Sequence, residues 1–182
     1  MQQKLNVGHD RLINTYVTQQ GATLAVALVI LLLMSLIGSA AIKTTTLEEK
    51  MAHNMQNKDV AFQAAEAALI EAETWIANIT SEPSTVTVCS AQPCILTFDS
   101  TRYLDEKDAN WWASNSSQTS NTLAQVASQP RYVIEFLRFV ADNPTIGHGI
   151  PSGMYYYRVT ARGTGLTDDA VVIIQTSVAK RF

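Results

Sequence analysis

"QQGATLAVALVILLLMSLIGSAAIK" fills residues 19–43 and carries no charge until Lys43. Seventeen of the 21 residues at 22–42 are Ala, Val, Ile, Leu or Met; the others are Thr23, Ser35, Gly38 and Ser39. As a helix this span is roughly 31 Å long at ~1.5 Å per residue. A bilayer's hydrocarbon core is about 30 Å thick. A helix apolar on every side is out of place on the surface of a soluble domain, so 22–42 reads as a transmembrane segment. A removable secretory signal has a shorter apolar stretch, about 7–15 residues, closed by a small-residue cleavage site.

The helical pattern does not stop at the end of the run. It continues through "KTTTLEEKMAHNMQNKDVAFQAAEAALIEAETWIANI" (43–79), rich in Ala, Glu, Lys, Met and Gln, all good helix formers. Gly38 and the run Thr44, Thr45, Thr46 are its weakest parts, the places where it would unwind first. One helix over 22–79 would be roughly 87 Å long. Phe62, Ala65, Leu69, Ala72 and Ile76 recur at helical spacing, and this stripe, with Phe62, Leu69 and Ile76 as its large members, is the face expected to pack on a sheet. It spans barely two heptads, too few for a coiled coil. Lys4 and Arg11 precede the apolar run and Lys43, Lys50 and Lys58 follow it, so the positive-inside rule does not decide its orientation.

Composition divides the chain at the same place. Between residues 22 and 79 there is no proline and one glycine, whereas all five prolines fall at Pro83 or later. Residues 80–182 form a turn-rich head large enough for a small core. "RYVIEFLRFV" (131–140) is dense in β-branched and aromatic residues, with Tyr132, Ile134 and Phe136 on one face. In "YRVTAR" (157–162), Tyr157, Val159 and Ala161 alternate with Arg158, Thr160 and Arg162. "AVVIIQTSV" (170–178) is a third strand, joined to the second through the turn-rich "GTGLTDD" (163–169). An antiparallel sheet needs a cover and the helix stripe needs a floor. The fold expected is therefore α+β, a long helix packed on a small antiparallel sheet.

"CSAQPC" holds the two cysteines, Cys89 and Cys94. A C-x4-C pair without two further ligands nearby makes a poor zinc site; in an oxidising compartment it reads as a disulfide. So short a loop contributes about 2 kcal/mol by the entropy formula. The bridge would pin a hairpin between "TVTV" (85–88) and "ILTF" (95–98). "NWWASNSSQTSNT" (110–122) sets Trp111 and Trp112 beside a polar tract. Either both are an exposed patch that grips a neighbouring protein, or one packs on the core ahead of a mobile loop. "GHGIPSG" (147–153) lacks the Gly-Lys-Ser/Thr ending of a phosphate loop and reads as an ordinary loop.

The net charge of −3 and pI near 5.5 give no electrostatic case for nucleic acid. His9, His53 and His148 are scattered, and nothing assembles a nucleophile, a base and an orienting group. The expectation is a non-enzymatic protein without cofactor or metal.

The words "QQGATLAVALVILLLMSLIGSAAI", "TTTLEEKMAHNM" and "DVAFQAAEAALIEAE" resemble the type IV pilins, and within them the PilX-type minor pilins. The resemblance is strong over residues 19–73. It is weaker at "YRVTARGTG" and "DDAVVIIQTS", and none is evident over 80–130. It implies that residues 1–21 are a class III leader, cut by a prepilin peptidase after Gly21, with N-methylation of Ala22. The protein would sit in the inner membrane with a periplasmic head and then pass into an extracellular pilus. Its partners would be other minor pilins, the major pilin and a tip adhesin, in pili serving twitching, attachment or DNA uptake.

Most pilins carry a glutamate at the fifth mature position, where it pairs with the N-terminal amine of the subunit ahead. Counted from Ala22, that position is Val26. A subunit at the filament tip has no subunit ahead of it, so the valine implies a priming or capping role. K-type pseudopilins of type II secretion share this feature and are the nearest alternative, although they usually carry a large extra domain. A signal-anchored periplasmic binding protein is a third reading; it requires the leader to stay on.

Overall fold

The computed structural model describes residues 21–89, 92–142 and 152–182. The leader up to residue 20, with His9, and most of "GHGIPSG", with His148, lie outside them. The chain divides into two compact units, Met1–Glu48 and Glu49–Phe182. Helix α1, Ala22–Asn78, belongs to both.

In the first unit every described residue is exposed. The apolar part of α1 has a mean hydropathy of 2.7 over its best 18-residue window, none of it buried. The helix is unbroken at Gly38 and at the three threonines. Thr44, Thr45 and Thr46 turn their hydroxyls back to the carbonyls of Ala40, Ala41 and Lys43, at 3.2, 3.1 and 2.9 Å. These side chains thereby satisfy themselves on their own helix, which is how hydroxyls are accommodated beside hydrocarbon.

The second unit is built on a six-stranded sheet. Its strands are β1 (Thr85–Val86), β2 (Ile95–Thr97), β3 (Ser117–Gln118), β4 (Arg131–Ala141), β5 (Gly153–Thr164) and β6 (Val171–Lys180). The order is β1-β2-β4-β5-β6, with β3 also pairing β4. The three long strands are antiparallel, but β1–β2 and β2–β4 are parallel, so the sheet is mixed. The expected hairpin between 85–88 and 95–98 is therefore corrected. Strands of two and three residues carry too little alternation to set their own sense. β2 instead takes its direction from β4, on which Ile95 lies opposite Ile134 and Leu96 opposite Glu135. The Cys89–Cys94 disulfide closes the connection between the two parallel strands.

Both faces of the sheet are covered. On one, Ala68, Ala72 and Ile76 of α1 meet Tyr132, Ile134, Tyr157 and Val159. On the other, a 3-10 turn (Leu104–Glu106) and helix α2 (Ala109–Asn115) lay Leu104 and Trp112 against Leu96 and Val133. The Asp108 carboxylate caps α2 by accepting from the Trp111 N–H at 2.9 Å.

The face that α1 buries shares Ala65, Ala72 and Ile76 with the expected stripe but is made chiefly of small residues. Its buried residues are Asn57, Ala61, Ala64, Ala65, Ala68, Ala72 and Ile76. Phe62 is 44 % exposed and takes no part, Leu69 is half-buried at the margin, and Ile76 is fully buried. The reason is distance. A Cβ on Gly163 of β5 would stand 2.2 Å from the Ala61 carbonyl oxygen and 2.4 Å from the Ala65 nitrogen. Backbone meets backbone there, and only small residues fit between.

Tyr157 sits in this core, and burial is the main cause that pushes its phenol up to about 12 from 10.0, helped by the nearby carboxylate of Glu82. Tyr132 moves the same way, again chiefly by burial. A raised folded-state value means that stability is fully present below pH 10 and is lost as pH climbs towards 12. Thermal melts should show a constant Tm up to about pH 10 and a steady fall above it, and a Tyr157→Phe variant should fall less steeply. Parallel curves for the two proteins would contradict this.

Candidate functional site

In a chain of this design the functional surfaces are the bare helix and whatever the head leaves open. α1 starts at Ala22, one residue after Gly21, which lies in a bend. A Cβ at Gly21 would meet nothing within 4 Å, so the fold does not require glycine there. Val26 lies on the first turns of the helix, 57 % exposed, among Leu24, Leu28 and Val29, which are exposed as well. This end of α1 presents an uncharged hydrocarbon surface with no carboxylate in its first turn.

The head holds its part of α1 at both ends. The Asn57 side chain is buried; its Oδ1 accepts from the Leu166 N–H at 2.7 Å and its Nδ2 donates to Thr167 Oγ1 at 2.8 Å. Gly165 lies so close to Asn57 that a Cβ would stand 2.1 Å from its Oδ1. At the other end Lys180 Nζ donates to the carbonyls of Ile76, at 2.8 Å, and Ala77. A cation on the last carbonyls of a helix satisfies groups that have no partner within it. Midway, the Glu71 carboxylate accepts from the Ser120 N–H at 2.9 Å and from its hydroxyl at 3.1 Å.

Trp111 and Trp112 do not form an exposed pair. Trp112 is fully buried under the sheet, while Trp111 is half-buried against it, edge to face at 5.8 Å. Successive residues of a helix point about 100° apart, so α2 can bury only one of them fully. The tract behind them is not a loop throughout: it ends α2, pairs as β3 with Tyr132 and Arg131, and is tied to Glu71 at Ser120. Cys89 and Cys94 form a disulfide with a Cα–Cα distance of 5.9 Å.

Glu135 is a feature the sequence reading passed over. It is fully buried in β4, and its carboxylate accepts from Arg102 Nη1 at 3.0 Å and from Arg158 Nε and Nη2 at 2.9 and 2.6 Å. The Arg158 guanidinium also lies over the Phe98 ring, 4.9 Å from its centre. A glutamate inside "RYVIEFLRFV" was the available signal. Two arginines flanking one buried carboxylate make a structural tie rather than a reactive centre. Among the described residues no three His, Cys, Asp or Glu side chains converge to hold a metal ion. A groove of about 560 Å³ runs beside α1, lined by Glu71, Trp75, Gln118 and Tyr132 among others, but its carboxylate is engaged by Ser120.

Two family models match the chain. One, described as PilX N-terminal, covers residues 20–69, and the other, described as type IV pilus assembly protein PilX C-term, covers residues 52–180. The second runs through 80–130, where no resemblance was evident in the words of the sequence. No curated protein and no solved structure matches.

Proposed function

We propose that this chain, which belongs to the PilX family of type IV pilus assembly proteins, is the minor pilin that primes or caps the pilus at its tip. Val26 carries the reading. A carboxylate at this depth of a membrane costs a few kcal/mol unless it is paired. A subunit with none ahead of it has no amine to pair with, and it loses nothing by presenting valine. The apolar helix first anchors the protein in the inner membrane with its head in the periplasm. It then leaves the bilayer to pack against the helices of the other minor pilins and the major pilin, and a tip adhesin rests on the complex they start.

Gold labelling of this protein on isolated pili should mark one end of each filament. Label spread evenly along the shaft would overturn the tip assignment. The same proposal makes Gly21 and Ala22 the cleavage site. N-terminal sequencing of the protein from cells should begin at N-methylated Ala22, and Gly21→Val should accumulate a chain beginning at Met1. Since a side chain at Gly21 meets nothing, that variant should fold as before. A chain that keeps Met1 in unaltered cells would remove the pilin mechanism and favour the anchored binding protein.

A further inference from the structure

We infer that β6 is a docking edge, on which an extended segment of a different pilus component adds a seventh strand to the sheet. The sheet order ends at β6, and β5 is its one neighbour among the described residues. The two strands pair without a register shift, from Tyr155 opposite Lys180 to Thr164 opposite Val171. β6 is therefore ten residues long and regular, with no proline and no bulge. Its one charged residue, Lys180, is turned to the end of α1. Natural sheets protect a free edge with charge, proline, bulges or brevity; here one charge, Lys58 of α1, reaches the first residue, Val171, and the strand beyond it uses none of them.

The bonding pattern says which groups are free. Gly165 N–H donates across the hairpin to the Ala170 carbonyl at 2.8 Å. In an antiparallel pair the bonded positions alternate, so Val172, Ile174, Thr176, Val178 and Lys180 turn their backbone groups to β5. Val171, Ile173, Gln175, Ser177 and Ala179 then turn theirs outward. An independent contact agrees: Lys58 Nζ, from α1, donates to the carbonyl of Val171 at 3.1 Å. The side chains set the chemistry of the occupant. Ile174 and Val178 pack on the α1 side of the core yet stay half-buried, whereas Gln175, Ser177 and Ala179 on the other face are exposed. The added strand has apolar residues beside Val172, Ile174 and Val178 on the α1 side and beside Ile173, which is half-buried on the second core, and polar residues beside Gln175 and Ser177.

A second copy of this chain fits less well. α1 runs in the same sense as β6, since Asn57 is bonded at Leu166 and Ile76 at Lys180. Antiparallel β6–β6 pairing would therefore set the two α1 segments in opposite senses, although each chain must return to one membrane. In-register parallel pairing would set Lys180 beside Lys180. The inference rests on the chain acting in pilus assembly, and it does not need the tip position.

The test uses the full chain in piliated cells. A photo-crosslinking amino acid is placed at Gln175, and separately at Ser177, and the joined peptides are identified. Crosslinks to one segment of another pilus component, displaced by two residues between the two probes, support the inference. Crosslinks to a second copy, to lipid alone, or to no protein overturn it. Gln175→Pro removes an outward N–H and leaves the β5 ladder intact, so it should lower the crosslinking yield from Ser177 at least tenfold while Gln175→Ala leaves it unchanged. Equal losses from both variants would mean recognition through the side chain, which overturns strand addition. Should Gln175→Pro fail to fold, the crosslinks from the otherwise unaltered strand still decide. Evenly labelled shafts with strand crosslinks intact would remove the tip assignment alone.

Discussion

Gly163→Val is expected to abolish the folded head. The Cβ alone would stand 2.2 Å from the Ala61 carbonyl oxygen, 2.4 Å from the Ala65 nitrogen and 3.0 Å from the Ala64 carbonyl carbon. All three are backbone atoms of one helix and cannot rotate away. The helix must lift off β5, and the packing of Ala61, Ala64, Ala65 and Ala68 is lost with it. Overpacking of this kind costs about 3 kcal/mol or more, a large part of a domain's total stability of about 5–15 kcal/mol. Circular dichroism of the purified head should show a Tm lower by more than about 10 °C, or no cooperative transition at all. Gly163→Ala should fall short of this yet lie well below the parent. A valine variant melting within a few degrees of the parent would mean that α1 is not held at this distance.

The second large effect is expected at Glu135. Glu135→Ala leaves Arg102 and Arg158 without their shared carboxylate. Breaking a buried pair on one side costs about 3–5 kcal/mol. The two arginine side chains keep 16 % and 24 % exposure and recover some hydration, which places the loss near the lower end, about 3 kcal/mol. Replacing all three residues by methionine should be milder than the single change, because no charge is then left unpaired. Urea unfolding of the parent and both variants decides. A triple variant less stable than Glu135→Ala would show that the ion cluster contributes more than its own desolvation.

Much of this architecture was legible in the sequence. The apolar run, its helical continuation and the three long strands follow from period and composition, because each extends over ten residues or more. The buried face of α1 was legible only in part: the stripe included Ala65, Ala72 and Ile76, which are buried, but gave its weight to the wrong large residues. Ranking positions by size selects Phe62 and Leu69, yet a helix that touches a strand backbone to backbone needs alanine. The usable signal lay elsewhere in the chain, in the two glycines of "ARGTG": Gly163 opens the space that the alanines occupy, and Gly165 the space that Asn57 occupies. The second cover was missed because the 3-10 turn at Leu104–Glu106 and α2 are short and lie among polar, loop-like residues. The sense of β1 and β2 was missed because it is set by β4, a neighbour distant in sequence. Of the candidate surface, Gly21 and Val26 are positions that the sequence displays by itself and whose roles are proposals, whereas the free edge of β6 depends on strand order, which no local pattern encodes.

The clasp that Asn57 makes with Leu166 and Thr167 joins residues 109 and 110 positions apart, and it fixes the order of events during biosynthesis. With the head on the periplasmic side, as proposed, the amphipathic half of α1 crosses the membrane long before the strands that will cover its alanine seam. Until β5 and β6 have followed, the helix has no floor, and the contacts that close the head are those of greatest sequence separation, which form slowly. Folding of the head is therefore completed only after nearly the whole chain has been delivered. During that interval the anchored helix stands exposed to proteases and to mispairing, and a chain broken off before β6 cannot be rescued by the parts already delivered.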